Sequence, residues 1–161
     1  MISSDHLRTL AYREKMAAFA PGIPERKTDP IPNKDGVFDL VIQEHYQKHK
    51  GRTHWDLRLG DTLTGQSHSW AIPKATLPVS KPLLAVQTWT HDVAYHPFEG
   101  TIGKGYGKGE VRQIARGPVS VQASPDRVEF SIPGEGDFLL RRTRDADWMW
   151  TRKKKDDKTK F

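Results

Sequence analysis

Residues 37–60 read VFDLVIQEHYQKHKGRTHWDLRLG, and this stretch decides the fold of the chain. The run from Val37 to His45 is rich in β-branched and apolar residues, and the run from His54 to Gly60 alternates polar with apolar residues. Both patterns predict β-strands. An eight-residue basic loop separates the two runs. We therefore expect a β-hairpin here.

The polar side chains of this hairpin are predicted to share one face. Side chains alternate between the two faces of a strand, so Gln43 and His45 lie together on the first strand. By the same rule, His54, Asp56 and Arg58 lie together on the second strand. If His45 pairs with His54, then Gln43 falls opposite Asp56 and the polar side chains project from one surface. A slip of one residue would send the two halves of the cluster to opposite faces.

Two imidazoles and a carboxylate on one sheet face can form a metal site that keeps positions open for water or substrate. The residues in that pattern are His45, His54 and Asp56. Arg58 follows on the same face, where its guanidinium could hold a phosphate through two hydrogen bonds. The alternative interpretation is a solvated polar sheet face, with Arg58 in an exposed salt bridge.

Composition restricts the kind of partner and the kind of site. The chain has 161 residues, which suits one domain, and a net charge of +6, which favours a polyanionic partner. It has no cysteine, which excludes disulfides, zinc ribbons, thiol catalysis and iron–sulfur clusters. We see no signal peptide and no apolar run of membrane-spanning length. We expect a soluble, intracellular, cytoplasmic protein that does not bind membranes.

The rest of the chain predicts a mainly β domain. Residues 4–20 have the pattern of a helix, and a Pro-rich irregular connector follows. Short apolar runs separated by turn signals favour a compact antiparallel β-barrel with an N-terminal helix and a disordered basic tail. Besides the hairpin, the expected strands are 67–75, broken at Pro73, and 83–90, 110–115, 119–122, 128–132, 138–142 and 148–152. We expect a single domain, with an N-terminal arm over 1–36, the barrel over 37–152 and a charged tail over 153–161.

Several motifs occur together and in order along the chain. They are VIQEH, HWDLRL, SWAIPK, the LAV run at 84–86, His91 with Tyr95, FEG and the glycine-rich stretch that follows it. With these motifs the chain resembles the 3′-phosphoesterase module of bacterial DNA ligase D and its stand-alone homologues. The combination is far more specific than any single motif.

The resemblance implies a metal-dependent enzyme that heals DNA 3′ ends during non-homologous end joining. Such enzymes remove 3′-terminal ribonucleosides and 3′-phosphates and leave 3′-hydroxyl ends. The implied cofactor is Mn²⁺, or another divalent metal such as Zn²⁺ or Co²⁺. The implied partners are DNA with such 3′ ends, and ligase or polymerase domains in cis or in trans.

The resemblance also implies a role for each site residue. The implied metal ligands are His45, His54 and Asp56. The positions that shape the pocket or hold the phosphate are Gln43, Arg58, Lys74, His91 and Tyr95, of which Arg58, Lys74 and His91 are the candidate catalytic residues. In the family, an arginine usually stands where this chain has Leu83 and an acidic residue where it has Trp89, and the loop between the first two histidines is shorter.

Two other functions fit parts of the pattern. A non-catalytic nucleic-acid-binding or docking module of a repair ligase would keep the barrel without turnover. A non-haem iron oxygenase would use His54 and Asp56 with a distant histidine, His91 or His96, as the third ligand. The two enzymatic alternatives therefore differ in the third ligand, which is His45 in the phosphoesterase and His91 or His96 in the oxygenase.

Overall fold

The computed structural model describes residues 34–105 and 108–154. The helix expected at 4–20 and most of the expected tail lie outside the described residues. Two 3-10 helices of three residues each, Lys48–Lys50 and Val93–Tyr95, are the helical elements of the described part. The strands are β1 Gly36–Gln47, β2 Arg52–Gly60, β3 Gln66–Ile72, β4 Leu83–Asp92, β5 Gly100–Ile102, β6 Gly109–Ser124, β7 Arg127–Ile132, β8 Gly136–Arg144 and β9 Asp147–Arg152.

All strands belong to one antiparallel sheet with the order β1-β2-β3-β4-β9-β8-β7-β6-β5. A further pairing between β1 and β6 closes the sheet into a ring and leaves β5 outside it, alongside the start of β6. This closure removes most of the free sheet edges. The predicted mainly β, antiparallel fold class is confirmed.

The main hydrophobic core fills the ring, because every ring strand contributes to it. In β1 and β2 the inward side chains alternate with the polar ones, as expected for strands with one buried face. The members from these two strands are Phe38, Leu40, Ile42, Leu57 and Leu59. Three tryptophans, Trp70, Trp148 and Trp150, are fully buried in the same core. The polar cluster therefore lies on the outer face of the ring.

The β1–β2 connection is shorter than the predicted eight-residue loop. The strand ladder continues past the histidines, with Tyr46 opposite Thr53 and Gln47 opposite Arg52. The connection that remains is the 3-10 turn ending at Gly51, whose φ of 62° is a left-handed conformation that favours glycine. Continued pairing satisfies backbone groups that a loop would leave to solvent, so the strands extend.

The structure differs from the strand predictions at three further points. His91 lies in β4, where the sequence predicts a loop. The predicted strands 110–115 and 119–122 are one strand, β6, which passes through Pro118. On one edge of β6 Pro118 pairs with Asp39 of β1. The opposite edge carries no ladder there in the described chain, since β5 pairs only up to Val111 and β7 only from Val121, and a proline is tolerated at such an open edge. β5 is an additional short strand that was not among the expected strands.

No helix in the described part of the chain is both long enough and apolar enough to cross a membrane.

Candidate metal and phosphate site

The predicted hairpin register is confirmed. His45 pairs with His54, and Gln43 pairs with Asp56. Paired residues place their side chains on the same face of the sheet, so the four polar groups project together from the outer face. Arg58 joins them because it lies two residues beyond Asp56 on β2.

His45, His54 and Asp56 form the one His/Asp/Glu cluster of metal-binding geometry found in the described residues. Their candidate ligand atoms lie within 4.8 Å of one another. The Oδ2 atom of Asp56 is 3.3 Å from His54 Nε2 and 3.9 Å from His45 Nδ1. Donors about 2.0–2.2 Å from a shared metal lie roughly 3–4 Å apart, so these side chains fit a divalent ion. Two imidazoles and one carboxylate are a donor set that transition metals accept.

Gly109 of β6 fixes how closely β6 approaches His45. A Cβ at this position would collide with the backbone oxygen of Tyr46 and would lie 3.0 Å from His45 Nε2. The φ of 151° at Gly109 also disfavours other residues. His45 is thus packed with Nε2 toward β6 and with Nδ1 on the side of Asp56, and it is only 5% exposed.

Arg58 is almost completely buried beside the cluster. Its Nε donates to Gln43 Oε1 at 2.8 Å, and its Nη1 donates to Ser69 Oγ at 2.8 Å. Its Nη2 lies 3.6 Å from Asp56 Oδ2, so one end of the guanidinium faces the three candidate ligands. The Tyr95 ring packs on the guanidinium, 4.8 Å from Cζ to the ring centroid. These contacts fix the plane of the guanidinium relative to Asp56.

Gln43 connects Arg58 to the segment that follows β4. Its Nε2 donates to the backbone oxygens of Tyr95, His96 and Phe98 at 3.1, 3.4 and 3.3 Å. Because the amide nitrogen faces carbonyls, the amide oxygen is turned to Arg58. One buried glutamine therefore orients the arginine and holds the Tyr95 segment over it.

His91 lies against the same group. Its Nδ1 is 3.1 Å from Ser69 Oγ, the oxygen that also accepts from Arg58. Its ring centroid is 5.8 Å from that of Tyr95. Since β3 and β4 are paired, Ser69 links the imidazole on β4 to the guanidinium on β2.

His96 has a different environment and lies apart from the candidate ligands. It is fully buried, its Nδ1 donates to Asp39 Oδ2 at 2.8 Å, and its Nε2 lies 2.6 Å from Ser67 Oγ. Burial lowers the pKa of His96 to about 4, although the bond to Asp39 acts in the opposite direction. The oxygenase alternative required His91 or His96 beside His54 and Asp56, whereas the structure places His45 there.

A cavity of about 230 Å³ opens at the candidate ligands. Its lining contains His45, His54 and Asp56 and, from the hairpin end, Gln47, Lys50, Arg52 and Thr53; Ala71, Pro73 and Thr88 complete it. Lys74 is in the exposed turn after β3, next to Pro73. The structure thus brings seven of the eight predicted site residues into one connected group and leaves Lys74 at its margin.

Sequence reasoning missed Ser69, Ser67 and Asp39. Ser69 pairs with Arg58 across β2 and β3, and Ser67 pairs with Gly60, so both serines lie on the site face. The alternation in SHSWA, with Trp70 on the opposite face, is a signal that could have identified them. Asp39 gives no such signal, because its partner His96 is 57 residues away along the chain.

Comparison with known proteins gives one consistent result. Residues 43–152 match the family model described as the DNA ligase D 3′-phosphoesterase domain. The chain is 33% identical over 164 residues to the multifunctional non-homologous end joining DNA repair protein LigD of Mycobacterium tuberculosis, covering 94% of this chain and 21% of that protein. It is 33% identical over 140 residues to LigD of Pseudomonas aeruginosa, covering 76% and 16%. The chain thus spans about a fifth of the length of these relatives.

Proposed function

The chain belongs to the DNA ligase D 3′-phosphoesterase domain family, and from this premise we propose that it is a metal-dependent phosphoesterase that heals the 3′ ends of DNA in break repair. It would remove 3′-terminal ribonucleosides and 3′-phosphates and leave 3′-hydroxyl ends. One observation carries the proposal: the convergence of His45, His54 and Asp56 beside the buried guanidinium of Arg58.

The residues that would hold the metal are His45, His54 and Asp56, whose spacing suits Mn²⁺, Zn²⁺ or Co²⁺. When bound, such an ion would act as a Lewis acid that withdraws charge from a phosphate oxygen. The Arg58 guanidinium lies 3.6 Å from the Asp56 carboxylate. This neighbour keeps the carboxylate oriented, as outer partners of metal ligands do.

Arg58 would bind the phosphate from the side of Nη2. Its other two nitrogens are bonded to Gln43 and Ser69, so the guanidinium is oriented before substrate arrives. A positive group fixed in this way stabilises charge that develops on phosphate oxygens without a cost of reorganisation during the reaction. Tyr95 covers the guanidinium and limits its exposure to water. Lys74, in the exposed turn beside Pro73, would contact the phosphate backbone as the DNA end enters.

His91 would act through an N–H group at its Nε2. The Ser69 hydroxyl accepts from Arg58, so its own hydrogen is available to His91 Nδ1. If Nδ1 accepts that hydrogen, the neutral ring carries its proton on Nε2. In this tautomer Nε2–H can donate a hydrogen bond to a phosphate oxygen and stabilise the charge that develops there; protonation of the leaving oxygen would require the doubly protonated imidazolium. Replacing Ser69 with Ala should therefore reduce the rate more strongly than it reduces DNA affinity.

The proposal extends to partners. The relatives are named as multifunctional end-joining proteins, and the chain matches only about a fifth of their length. We propose that DNA with 3′-ribonucleotide or 3′-phosphate ends is the substrate. Ligase or polymerase domains, in cis or in trans, would use the resulting 3′-hydroxyl.

The direct test is incubation with Mn²⁺ and a primer–template that ends in one ribonucleotide or in a 3′-phosphate. We expect shortened or dephosphorylated primers, resolved by denaturing electrophoresis, and none in the presence of a chelator. Unchanged 3′ ends, with a folded protein that binds Mn²⁺, would instead support the non-catalytic docking module.

The ligand assignment has its own test. His54→Ala should abolish both Mn²⁺ binding, measured by calorimetry, and product formation, because a three-ligand site loses a third of its protein donors. For Mn²⁺ binding the matched control is His49→Ala, since His49 lies in the same hairpin but in the exposed turn and is not among the candidate ligands. Metal binding by His54→Ala at the wild-type level would refute the assignment.

A further inference from the structure

The end of the β1–β2 hairpin, residues 46–53, extends beyond the candidate metal ligands. Two further residue pairs and a 3-10 turn lie past His45 and His54. The turn is basic throughout, since its three residues are Lys48, His49 and Lys50. The hairpin end therefore places positive charge beside the cavity of about 230 Å³ at the candidate ligands, hereafter the metal-side cavity.

The hairpin end separates two cavities. Gln47 and Arg52 are paired and lie on the same face as the candidate ligands, where they line the metal-side cavity. Tyr46 alternates to the other face and lines a second cavity of about 490 Å³. The other members of the second cavity come from the turn, from β5 and from the start of β6: Lys48, His49, Thr101, Ile102, Gly103, Lys108, Gly109 and Glu110.

Three cationic side chains at or beside the hairpin end are not paired with described carboxylates. The exposed side chains of Lys48, Arg52 and Lys108 form no ion pair within the described residues. By contrast, the basic residues of β6 are paired, Arg112 with Glu44 at 2.8 Å and Arg116 with Asp39 at 3.3 Å. Against one carboxylate in its lining, Glu110, the second cavity has two lysines and His49, so it favours an anion.

Tyr46 adds an apolar surface to this charge. Its residue exposure is 40%, which is high for an aromatic residue in a strand. Bases of single-stranded nucleic acid stack on exposed aromatic rings, and lysines beside the ring bind the adjoining phosphates. A volume of about 490 Å³ falls in the range of roughly 300–1,000 Å³ that is typical of small-ligand sites.

We propose that the second cavity binds a nucleotide unit of the DNA whose 3′ end occupies the metal-side cavity. The base would stack on Tyr46, and its phosphate would lie between Lys48 and Lys108. Arg52 would contact the backbone on the other face of the hairpin. This inference rests on the proposed function, because that function supplies DNA as the ligand.

The test measures DNA binding in a chelator, so that it does not depend on turnover. A fluorescent primer–template with a single-stranded extension is titrated with the protein over a range of salt concentrations. The double variant Lys48→Gln/Lys108→Gln should bind about tenfold more weakly, and the slope of log K against log[salt] should flatten by about 1–2. Tyr46→Ser should weaken binding about 5- to 100-fold with the slope unchanged, because stacking releases no counterions.

The matched control is Arg141→Gln/Arg144→Gln, which removes the same charge from exposed residues of β8. We expect wild-type affinity and slope from this control. Calorimetric Mn²⁺ binding by each variant checks that the neighbouring ligands are undisturbed. If the Tyr46 and lysine variants bind DNA like the control, the inference is overturned, even where the wild type forms product. If wild-type binding depends on these residues but no 3′ end is processed, the second cavity stands and the proposed enzymatic function fails.

Discussion

Acid should destabilise the fold through His96, because the folded protein holds this imidazole in its neutral form. His96 is fully buried, and desolvation is the largest cause of its low pKa of about 4. The charge of Arg58 lowers the pKa further, and the hydrogen bond to Asp39 raises it. Arg116 also bonds to Asp39 at 3.3 Å and lowers the pKa of His96.

The sign and size follow from the two pKa values. In the unfolded chain the pKa returns to about 6.5, so between the two values the unfolded state binds more protons than the folded state. The contribution of His96 to stability is therefore complete above the unfolded pKa and is lost as pH falls toward about 4. Between about pH 7.5 and about pH 5 the expected loss is about 2 kcal/mol.

The assay is urea unfolding at several pH values, with wild type compared with His96→Gln. The glutamine cannot titrate, so the difference between the two pH slopes isolates His96 from the other histidines and carboxylates. The wild type should lose about 2 kcal/mol more than the variant over this range. Parallel slopes would refute the reasoning, and so would an NMR titration of the folded protein that places the His96 pKa at or above 6.5.

Three further predictions concern packing and polar contacts. Gly60→Ala should destabilise the protein by about 1–3 kcal/mol in chemical denaturation. The added Cβ would lie 2.7 Å from His96 Cε1, whereas Gly103→Ala, with no atom within 4 Å, should change stability little; equal effects would contradict this argument. Gln43→Glu should cost about 1–3 kcal/mol in urea unfolding, because a carboxylate oxygen would replace the amide donor beside three backbone oxygens. Trp148→Ala should cost about 3–5 kcal/mol, since its side chain is fully buried in the core, and a thermal midpoint close to wild type would count against that assignment.

Much of the candidate site could be predicted from the sequence because it depends on local alternation. A strand turns every second side chain to the same face, so the spacing His54-x-Asp56-x-Arg58 already places three groups together. The polar face of β1 comes to the same side once the hairpin register is set, and the pairing of His45 with His54 is the register that does this. The same alternation puts Trp148 and Trp150 on one face of β9, since they are two residues apart, and both lie in the core with Trp70 of β3.

The strand limits were less predictable where local signals and ring closure disagree. Gly117 and Pro118 have the composition of a turn, yet β6 continues through them because β1 pairs with it on both sides of this dipeptide, over residues 110–121. His91 was expected in a loop, yet β4 extends to Asp92 because β3 pairs with it there. In both places, pairing with a neighbouring strand overrides the local propensity.

By itself, the sequence determined the hairpin stretch 37–60 as the centre of the protein: its two strands, its register and the shared face of His45, His54 and Asp56. Only the tertiary structure decided what lies around that face. Closure of β1 onto β6 brings Gly109 against His45, and the chain after β4 returns to place Tyr95 over Arg58. These contacts join residues 37 to 64 positions apart along the chain. Alternation is a property of adjacent residues, whereas such contacts depend on how the whole ring closes.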